Sequence, residues 1–255
     1  MNENTPKAAL VTGGAQRIGR AIVLELAGRG WAVAVHYNSS KQAADGLVGE
    51  ITAAGGRAAA VHADLACEDE AAALTGNAAS AIGPLSALVN NASVFEDDSP
   101  KTATRQSWDA HMQVNLRAPF LLTQDFAGQV GGGGQGNVIN IIDQRVWNLT
   151  SYFTTYTLSK SALWTMTQTL ALALAPQIRV NAIGPGPTLP GVRQSEESFR
   201  RQWASTPLSR KVEPEEIGQA VAFILDAPSM TGQMIALDGG QHLGWRQPDA
   251  KSDLE

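Results

Sequence analysis

The sequence contains a single cysteine, Cys67, so no disulfide bond can form within the chain. It also lacks any run of about 18 apolar residues, the length that a helix needs to cross a bilayer. The polar first residues, MNENTPK, run directly into a strand-like segment and leave no room for a signal peptide. These absences predict a cytoplasmic protein, in a reducing compartment, with no membrane partner.

An excess of positive charge is absent too. The net charge is −5, which argues against nucleic acid as a partner. The four histidines are scattered without metal-ligand spacing, so we expect no bound metal ion. Apolar residues make up 44% of the chain, enough to bury a substantial core. The composition therefore favours a globular protein whose partner is a small molecule.

Apolar strand-like runs alternate with helical patterns along the chain. The seven predicted strands lie at 8–12, 32–37, 58–64, 87–92, 136–142, 178–186 and 234–240. The predicted helices lie at 17–28, 40–54, 69–81, 106–128, 153–175 and 214–226, with a polar loop at 187–205. This alternation predicts an α/β protein with a single Rossmann-type, doubly wound parallel sheet of seven strands and helices on both faces. No linker divides it, so residues 1–255 are expected to form one domain with a polar tail at about 246–255.

The segment VTGGAQRIGR, residues 11–20, joins the first predicted strand to the first predicted helix. Gly13, Gly14 and Gly19 permit a tight turn and let the backbone approach a diphosphate, while the helix N-terminus offers free N–H groups. The spacing differs from G-x-G-x-x-G, and an ordinary strand-to-helix turn is the alternative. The position between a strand and a helix favours a dinucleotide site.

A carboxylate is missing at the end of the second predicted strand, where NAD sites usually carry one for the ribose hydroxyls. The sequence there reads HYNSSK, residues 36–41. Its hydroxyl, amide and cationic groups could hold a 2′-phosphate instead, and Arg17 is a second cation on the neighbouring loop. This favours NADP over NAD, with an ordinary polar loop as the alternative. Asp64, after the third strand, could accept a hydrogen bond from the adenine amino group.

Tyr156 and Lys160 lie one helical turn apart and therefore share a face of the predicted helix. A lysine ammonium at this distance favours tyrosinate and lowers the tyrosine pKa, which makes Tyr156 a candidate proton donor. Tyr152 has no lysine four residues later and is the weaker candidate. Because the Y-x-x-x-K spacing is common by chance, its meaning depends on the rest of the chain.

Six short motifs occur in order over nearly the whole chain. They are TGGAQRIG, NNAS (90–93), Asn115, YTLSK (156–160), NAIGPG (181–186) and LDGG (237–240). This pattern resembles the short-chain dehydrogenase/reductase family. The resemblance implies the strand order 3-2-1-4-5-6-7 and hydride transfer from a nicotinamide. It also implies a proton relay of Asn115, Lys160 and Tyr156, with the lysine binding the nicotinamide ribose.

A narrower set of residues resembles the pteridine reductases, and bacterial dihydromonapterin reductases share two of them. The set comprises Arg17, the HY that precedes Ser39, the NNAS-x-F that ends at Phe95, and Asp143 where the wider family usually has serine. The resemblance implies that Phe95 stacks a pterin against the nicotinamide. It further implies that Ser93 and Arg17 contact the pterin and the cofactor phosphate.

The carboxyl group of Asp143 also bears on the reaction itself. Ketone reduction places negative charge on an oxygen, which an ionised carboxylate 3–4 Å away would repel. Reduction of a ring C=N bond instead requires a proton on nitrogen, which a carboxyl group can help to supply through Tyr156. We therefore expect an NADPH-dependent reductase acting on the C=N bond of a dihydropterin. The alternatives are a carbonyl reductase of 3-oxoacyl or sugar type, and a non-catalytic NADP-binding protein.

These observations define three predicted sets of site residues. The catalytic residues are Asn115, Asp143, Tyr156 and Lys160. The cofactor-binding residues are Gly13, Arg17, Ile18, Gly19, His36, Tyr37, Asn38, Ser39, Asp64, Leu65, Asn91, Ala92, Ser93, Tyr156, Lys160, Pro185 and Gly186. The substrate-binding residues are Arg17, Ser93, Phe95, Asp143 and Tyr156. Apolar residues on more than one face of the helices at 106–128 and 153–175 predict a homotetramer.

Overall fold

The computed structural model describes residues 6–131, 134–191 and 194–244, and the predicted polar tail at 246–255 lies outside them. Seven parallel strands form one sheet in the order β3-β2-β1-β4-β5-β6-β7, which confirms the predicted topology. The strands are β1 Ala8–Val11, β2 Ala32–Tyr37, β3 Arg57–His62, β4 Ala87–Asn90, β5 Gly136–Ile141, β6 Ile178–Pro185 and β7 Met234–Leu237. Both faces of the sheet are covered by helices, as a parallel sheet requires.

The helices connect successive strands. They are α1 Arg17–Gly28, α2 Lys41–Ala53, α3 Glu68–Ile82, α4 Arg105–Met112, α5 Ala118–Val130, α6 Thr154–Ala173, α7 Glu196–Ala204 and α8 Pro214–Asp226. Short 3-10 turns occupy Gln144–Val146 and Gln241–Leu243. Within the described residues, no helix has both the length and the apolar character needed to span a bilayer.

Residues of the inner strand β1 alternate between two hydrophobic cores, one on each face of the sheet. Ala9 and Val11 pack into the core that includes Ile22 of α1. Ala8 and Leu10 pack into the opposite core, which includes Phe126 of α5. Because β1 is buried on both faces, its sequence is apolar throughout, and its carboxyl end is held firmly at the edge where ligands bind in such folds.

The helix predicted at 106–128 is observed as α4 and α5 joined by a π-helical turn at Gln113–Arg117. Pro119 lies in the first turn of α5 and has no N–H to donate. In an α-helix that N–H would bond the carbonyl of Asn115, four residues earlier. The π-helical turn therefore contains Asn115, one of the predicted catalytic residues.

The prediction of a polar loop at 187–205 is wrong in its second half, because α7 forms there. The hydroxyl of Ser195 accepts a hydrogen bond from the N–H of Ser198 at 3.2 Å and caps the helix. Glu196 and Glu197 lie in the first turn, where negative charge is favourable. Phe199 on this helix is buried. Each of these is a sequence signal for a short helix, which the polar composition obscured.

Candidate active site

Two adjoining cavities open at the carboxyl ends of the strands. The glycine-loop cavity contains these predicted cofactor residues in its wall: Gly13, Arg17, Ile18, Gly19, His36, Tyr37, Asn38, Ser39, Asp64, Leu65, Asn91, Ala92, Ser93 and Tyr156. The Asp143 cavity is lined by Asp143, Lys160, Pro185 and Gly186 among others. Arg17, Ile18, Asn91, Ser93, Phe95 and Tyr156 line both cavities. A ligand in one cavity can therefore reach a ligand in the other.

The loop between β1 and α1 lies flat against the end of β4. Gly13 has a φ of +59°, a conformation that favours glycine. A β-carbon on Gly19 would lie 2.0 Å from the carbonyl oxygen of Gly13. The side-chain amide of Asn91 donates to the carbonyls of Thr12 at 2.8 Å and Gly13 at 3.2 Å. This bare backbone at the N-terminus of α1 fits a diphosphate group.

His36 is almost completely buried beneath the glycine loop. Its Nδ1 accepts a hydrogen bond from the N–H of Gly13 at 2.9 Å. That contact fixes the tautomer, so Nε2–H donates to the carbonyl of Ala63 at 3.0 Å. Burial lowers the pKa of His36 to about 4. His36 lies in the wall of the glycine-loop cavity, but its ring nitrogens hold the backbone and its ring stays neutral near pH 7.

The buried neutral state of His36 predicts a stability loss in mild acid. The unfolded chain binds a proton near pH 6.5 and the folded chain only near pH 4. The contribution is therefore complete above pH 6.5 and declines by about 3 kcal/mol as the pH falls to 4. Denaturant unfolding should show this decline in the wild type. His36→Asn keeps an acceptor for Gly13 without titrating, so it should lack this part of the decline.

The polar groups after β2 form the outer end of the glycine-loop cavity. The Asn38 amide donates to Asp64 at 3.2 Å, and the same Asp64 oxygen accepts the N–H of Ala66 at 2.9 Å. Ser39 also lines this end. Lys41 differs from the expectation because its ammonium pairs with Asp45 at 2.5 Å, within α2. Among the predicted cations, Arg17 is the one that lines the cavity.

Arg17 begins α1 with a φ of +53°, an uncommon backbone conformation for a non-glycine residue. Its guanidinium donates to the carbonyl of Pro190 at 3.0 Å, on the segment that follows β6. Arg17 therefore stands between the two cavities and contacts the segment over the Asp143 cavity.

The start of α6 is held from outside the helix. Asp98, which is buried, accepts hydrogen bonds from the N–H of Thr155 at 2.9 Å and from its hydroxyl at 2.5 Å. The Thr155 hydroxyl also contacts Nδ1 of the buried His111 at 2.7 Å. These contacts fix the first turn of the helix that carries Tyr156 and Lys160.

Tyr156, Asp143 and Lys160 meet at the end of β5. The Tyr156 hydroxyl donates to Oδ2 of Asp143 at 3.0 Å. The other Asp143 oxygen accepts the N–H of Arg145 at 2.7 Å. Lys160 Nζ donates to the carbonyl of Ile141 at 2.9 Å. Burial lowers the pKa of Lys160 to about 8, while the Asp143 carboxylate acts in the opposite direction.

Asn115 lies behind this group and is not among the residues that line the two cavities. Its side chain makes two hydrogen bonds with the backbone of Val94. Oδ1 accepts the N–H at 2.8 Å and Nδ2 donates to the carbonyl at 2.9 Å. Nδ2 also donates to Ser159 at 3.1 Å, and Oδ1 accepts from Ser93 at 3.1 Å. The side chain of Asn115 thus positions the loop that carries Ser93 and Phe95.

Phe95 presents an aromatic ring where the two cavities meet. One face stacks on Phe153 at 4.5 Å between centroids with 7° between the planes. The Tyr156 ring packs edge-on at 4.7 Å. Phe95 is 37% exposed, and Phe153 is in turn covered by the guanidinium of Arg145 at 5.1 Å. The rings behind Phe95 hold it rigidly, which suits a stacking surface for a flat ligand.

Several residues that line the Asp143 cavity were not predicted from the sequence. They are Gln144, Thr188, Leu189, Gln194, Phe199, Gln202 and Gln241. Gln144 directly follows Asp143 in the sequence, and this position could have indicated that it lines the same site. The others come from the segment after β6, from α7 and from the turn after β7, where no motif pointed to them. Within the described residues, no three His, Cys, Asp or Glu side chains are grouped to hold a metal ion.

The parallel sheet and the two cavities at its carboxyl edge define a Rossmann-type protein with a nucleotide-sized cleft. Residues 13–242 match the family model described as enoyl-(acyl carrier protein) reductase, a group of short-chain dehydrogenases. The chain belongs to the short-chain dehydrogenase/reductase family of oxidoreductases.

Several similar proteins fit this membership. The FolM alternative dihydrofolate reductase 1 of Brucella suis, solved in complex with NADP, is 49% identical with a TM-score of 0.92. That match covers 98% of this chain and 100% of the other. An uncharacterized oxidoreductase of Methylorubrum extorquens is 37% identical over 94% of this chain and 99% of its own. The Staphylococcus aureus 3-oxoacyl-[acyl-carrier-protein] reductase FabG is 34% identical, over 93% and 98% respectively.

Proposed function

We propose that this chain is an NADPH-dependent reductase that transfers hydride to the C=N bond of a dihydropterin. The observation that carries the proposal is the 3.0 Å hydrogen bond from the Tyr156 hydroxyl to Asp143, beside the glycine-loop cavity. Similarity to the FolM alternative dihydrofolate reductase 1 of Brucella suis supports a pteridine substrate. Similarity to a structure solved with NADP supports the cofactor.

The cofactor supplies the hydride when it is bound. The backbone of the glycine loop would hold its diphosphate, because Gly13 and Gly19 carry no side chains of their own at the N-terminus of α1. Tyr37, Asn38, Ser39 and Arg17 would surround the adenosine end, where no acidic side chain stands directly after β2. Lys160 and Pro185 in the adjoining cavity would face the nicotinamide end.

The protein's own residues would deliver the proton. Tyr156 donates it to the ring nitrogen, and Asp143 accepts the Tyr156 O–H in the resting site. Lys160 holds a positive charge next to this pair and stabilises the tyrosinate that forms. Pro119 has no N–H to donate to the carbonyl of Asn115, and this carbonyl would take part in proton resupply from the helix side.

Phe95, Ser93 and Arg17 would bind the substrate. The exposed part of the Phe95 ring offers a stacking surface where the two cavities join. Ser93, two residues before Phe95, presents a hydroxyl group that is held by its hydrogen bond to Asn115. Stacking there would place a flat heterocycle over the nicotinamide end of the cofactor, beside Tyr156.

The experiment is NADPH oxidation with dihydrobiopterin or dihydromonapterin, compared with an acetoacetyl thioester. We expect turnover with the pterins and a preference for NADPH over NADH of at least about tenfold. Tenfold corresponds to about 1.4 kcal/mol, which one phosphate contact can supply. Equal use of NADH would contradict the cofactor assignment, and thioester reduction without pterin reduction would contradict the substrate.

One observation favours a second candidate, a carbonyl reductase of the 3-oxoacyl type. The chain is 34% identical to the Staphylococcus aureus FabG. The carboxylate of Asp143 argues against it, because negative charge would oppose the alkoxide that forms. A non-catalytic NADP-binding role is disfavoured because Tyr156, Lys160 and Asn115 are all kept.

We also propose that the chain forms a single-domain homotetramer in the cytoplasm. Trp108, Phe120, Leu158 and Leu172 are exposed on the helices α4, α5 and α6, with Leu172 85% accessible. Such a surface on a single chain favours burial against partner subunits. Light scattering at micromolar concentration should give four times the chain mass, and a monomer would contradict the proposal.

A further inference from the structure

The loop that carries Phe95 contains no helix or strand, and two side chains hold its backbone on either side of that ring. Oδ1 of Asn115 accepts the N–H of Val94 at 2.8 Å. Nε2 of His111 accepts the N–H of Glu96 at 3.1 Å. His111 and Asn115 are four residues apart on one continuous helical segment. That segment therefore fixes the backbone immediately before and immediately after Phe95.

His111 is completely buried, and its second ring nitrogen contacts the start of α6. Because Nε2 accepts a hydrogen bond, the neutral ring carries its proton on Nδ1. Nδ1–H donates to the hydroxyl of Thr155 at 2.7 Å, and that hydroxyl donates to the buried carboxylate of Asp98 at 2.5 Å. Burial lowers the pKa of His111, which favours this neutral state. One imidazole thus links the Phe95 loop to the helix that carries Tyr156.

The two groups that His111 links must be aligned for the proposed reaction. Thr155 directly precedes Tyr156, the proton donor, and the His111 ring packs edge-on against the Tyr156 ring at 6.0 Å between centroids. The Phe95 ring, which would stack the substrate, also packs edge-on against Tyr156, at 4.7 Å. A misplacement of about 1 Å between reacting groups can reduce a rate about 100-fold. A shared support for the stacking ring and the proton donor therefore bears directly on turnover.

We propose that His111 is a positioning residue that acts through two separate contacts. Its Nε2 positions the Phe95 ring through the N–H of Glu96. Its Nδ1–H positions Tyr156 through the hydroxyl of Thr155. This inference rests on the proposed pterin reduction. His111 itself is not among the residues that line the two cavities, so it acts on the reaction only through these neighbours.

Two amide substitutions separate the two contacts. In His111→Asn the amide nitrogen takes the place of Nδ1 and keeps the contact with Thr155, but the side chain is too short to reach the N–H of Glu96. In His111→Gln the amide oxygen takes the place of Nε2 and keeps the contact with Glu96, but the contact with Thr155 is lost. We expect His111→Asn to raise the KM for dihydropterin about tenfold with kcat within about threefold. We expect His111→Gln to lower kcat about tenfold with KM within about threefold.

The opposite shifts distinguish positioning from a merely structural role. Each amide leaves a polar atom unpaired in a buried place, so both variants should lose similar stability in thermal unfolding. A merely structural histidine would then change kcat and KM alike in both variants. That result, or wild-type kinetics in both, would overturn the inference.

Thr155 offers a second pair of variants that leaves His111 in place. Thr155→Val removes the hydroxyl that Nδ1–H meets, so it should lower kcat about tenfold with KM within about threefold. Thr155→Ser keeps a hydroxyl there and should behave like the wild type. Wild-type kcat in Thr155→Val would contradict the contact between His111 and the start of α6.

Hydrogen exchange at single-residue resolution tests the inference independently of turnover. The amide of Glu96 should exchange about tenfold faster in His111→Asn than in the wild type, and it should stay protected in His111→Gln. The amide of Val94, which Asn115 holds, is the internal control and should not change in either variant. Wild type that reduces dihydropterin while Glu96 exchanges alike in all three proteins would overturn this inference alone. The expected exchange pattern in a protein that reduces no pterin would overturn the proposed function alone.

Discussion

Serine in place of Asp143 is expected to lower the kcat for dihydropterin reduction by roughly 10²–10⁴-fold, the range typical of a lost general acid–base group. Asp143 uses both oxygens, one for the Tyr156 hydroxyl at 3.0 Å and one for the N–H of Arg145 at 2.7 Å. A serine hydroxyl is shorter and cannot make both contacts. It also carries no negative charge to share the proton that moves to a ring nitrogen.

The pH dependence gives a second signature of the same substitution. Burial lowers the pKa of Lys160 to about 8, and the Asp143 carboxylate opposes that decrease. Removing the carboxylate should lower the pKa of Lys160 further. The decline in kcat/KM as pH rises through about 8 in the wild type should therefore begin at lower pH in Asp143→Ser.

Two controls distinguish this role from general damage to the site. NADPH affinity should change little in Asp143→Ser, since the glycine loop and Lys160 remain. Tyr156→Phe should reduce the turnover of pterins and of ketones alike, because either reaction needs its proton. Ketone turnover should rise in Asp143→Ser, since a neutral donor now faces the carbonyl oxygen. Full pterin turnover in the serine variant would show that the carboxylate is dispensable.

The parts of the fold and site that could be predicted are those encoded by short-range patterns. Alternation of apolar runs with helical patterns predicted seven parallel strands, because parallel strands need crossover helices, while their order came from the resemblance to the family. The glycines of the first loop and the Tyr156/Lys160 spacing are local as well, and the predicted cofactor residues all line the two cavities. Such features depend on a few neighbouring residues and need no knowledge of the packing.

The features that could not be predicted depend on contacts between distant residues. His36 stands in a polar stretch, but the N–H of Gly13 occupies its Nδ1. Lys41 ends the same stretch, but its ammonium pairs with Asp45. Gln144 and Gln241 are far apart in the sequence and share a cavity only because two turns after β5 and β7 pack together. In each case the sequence shows the chemical group, while the fold decides which partner it has.

Alanine in place of Gly19 is expected to weaken NADPH binding by about 100-fold or more, equivalent to about 2.7 kcal/mol. The new β-carbon would lie 2.0 Å from the carbonyl oxygen of Gly13 and 2.7 Å from the amide nitrogen of Asn91. Because the nearest atom is backbone, no side-chain rotation relieves the clash, and the loop itself must move. That movement breaks the contacts of Asn91 with Thr12 and Gly13. It also displaces the N–H groups that would hold the diphosphate.

The loop shift should also reduce the free energy of unfolding by up to about 3 kcal/mol, as measured in denaturant. Gly28→Ala is the matched control, because Gly28 ends the same helix and a β-carbon there meets nothing within 4 Å. It should bind NADPH like the wild type and gain stability, up to about 1 kcal/mol, from the better helix propensity of alanine. Calorimetric titration of NADPH into both variants tests the difference. Wild-type affinity in Gly19→Ala would mean that the cofactor does not depend on the close approach of Gly13 and Gly19.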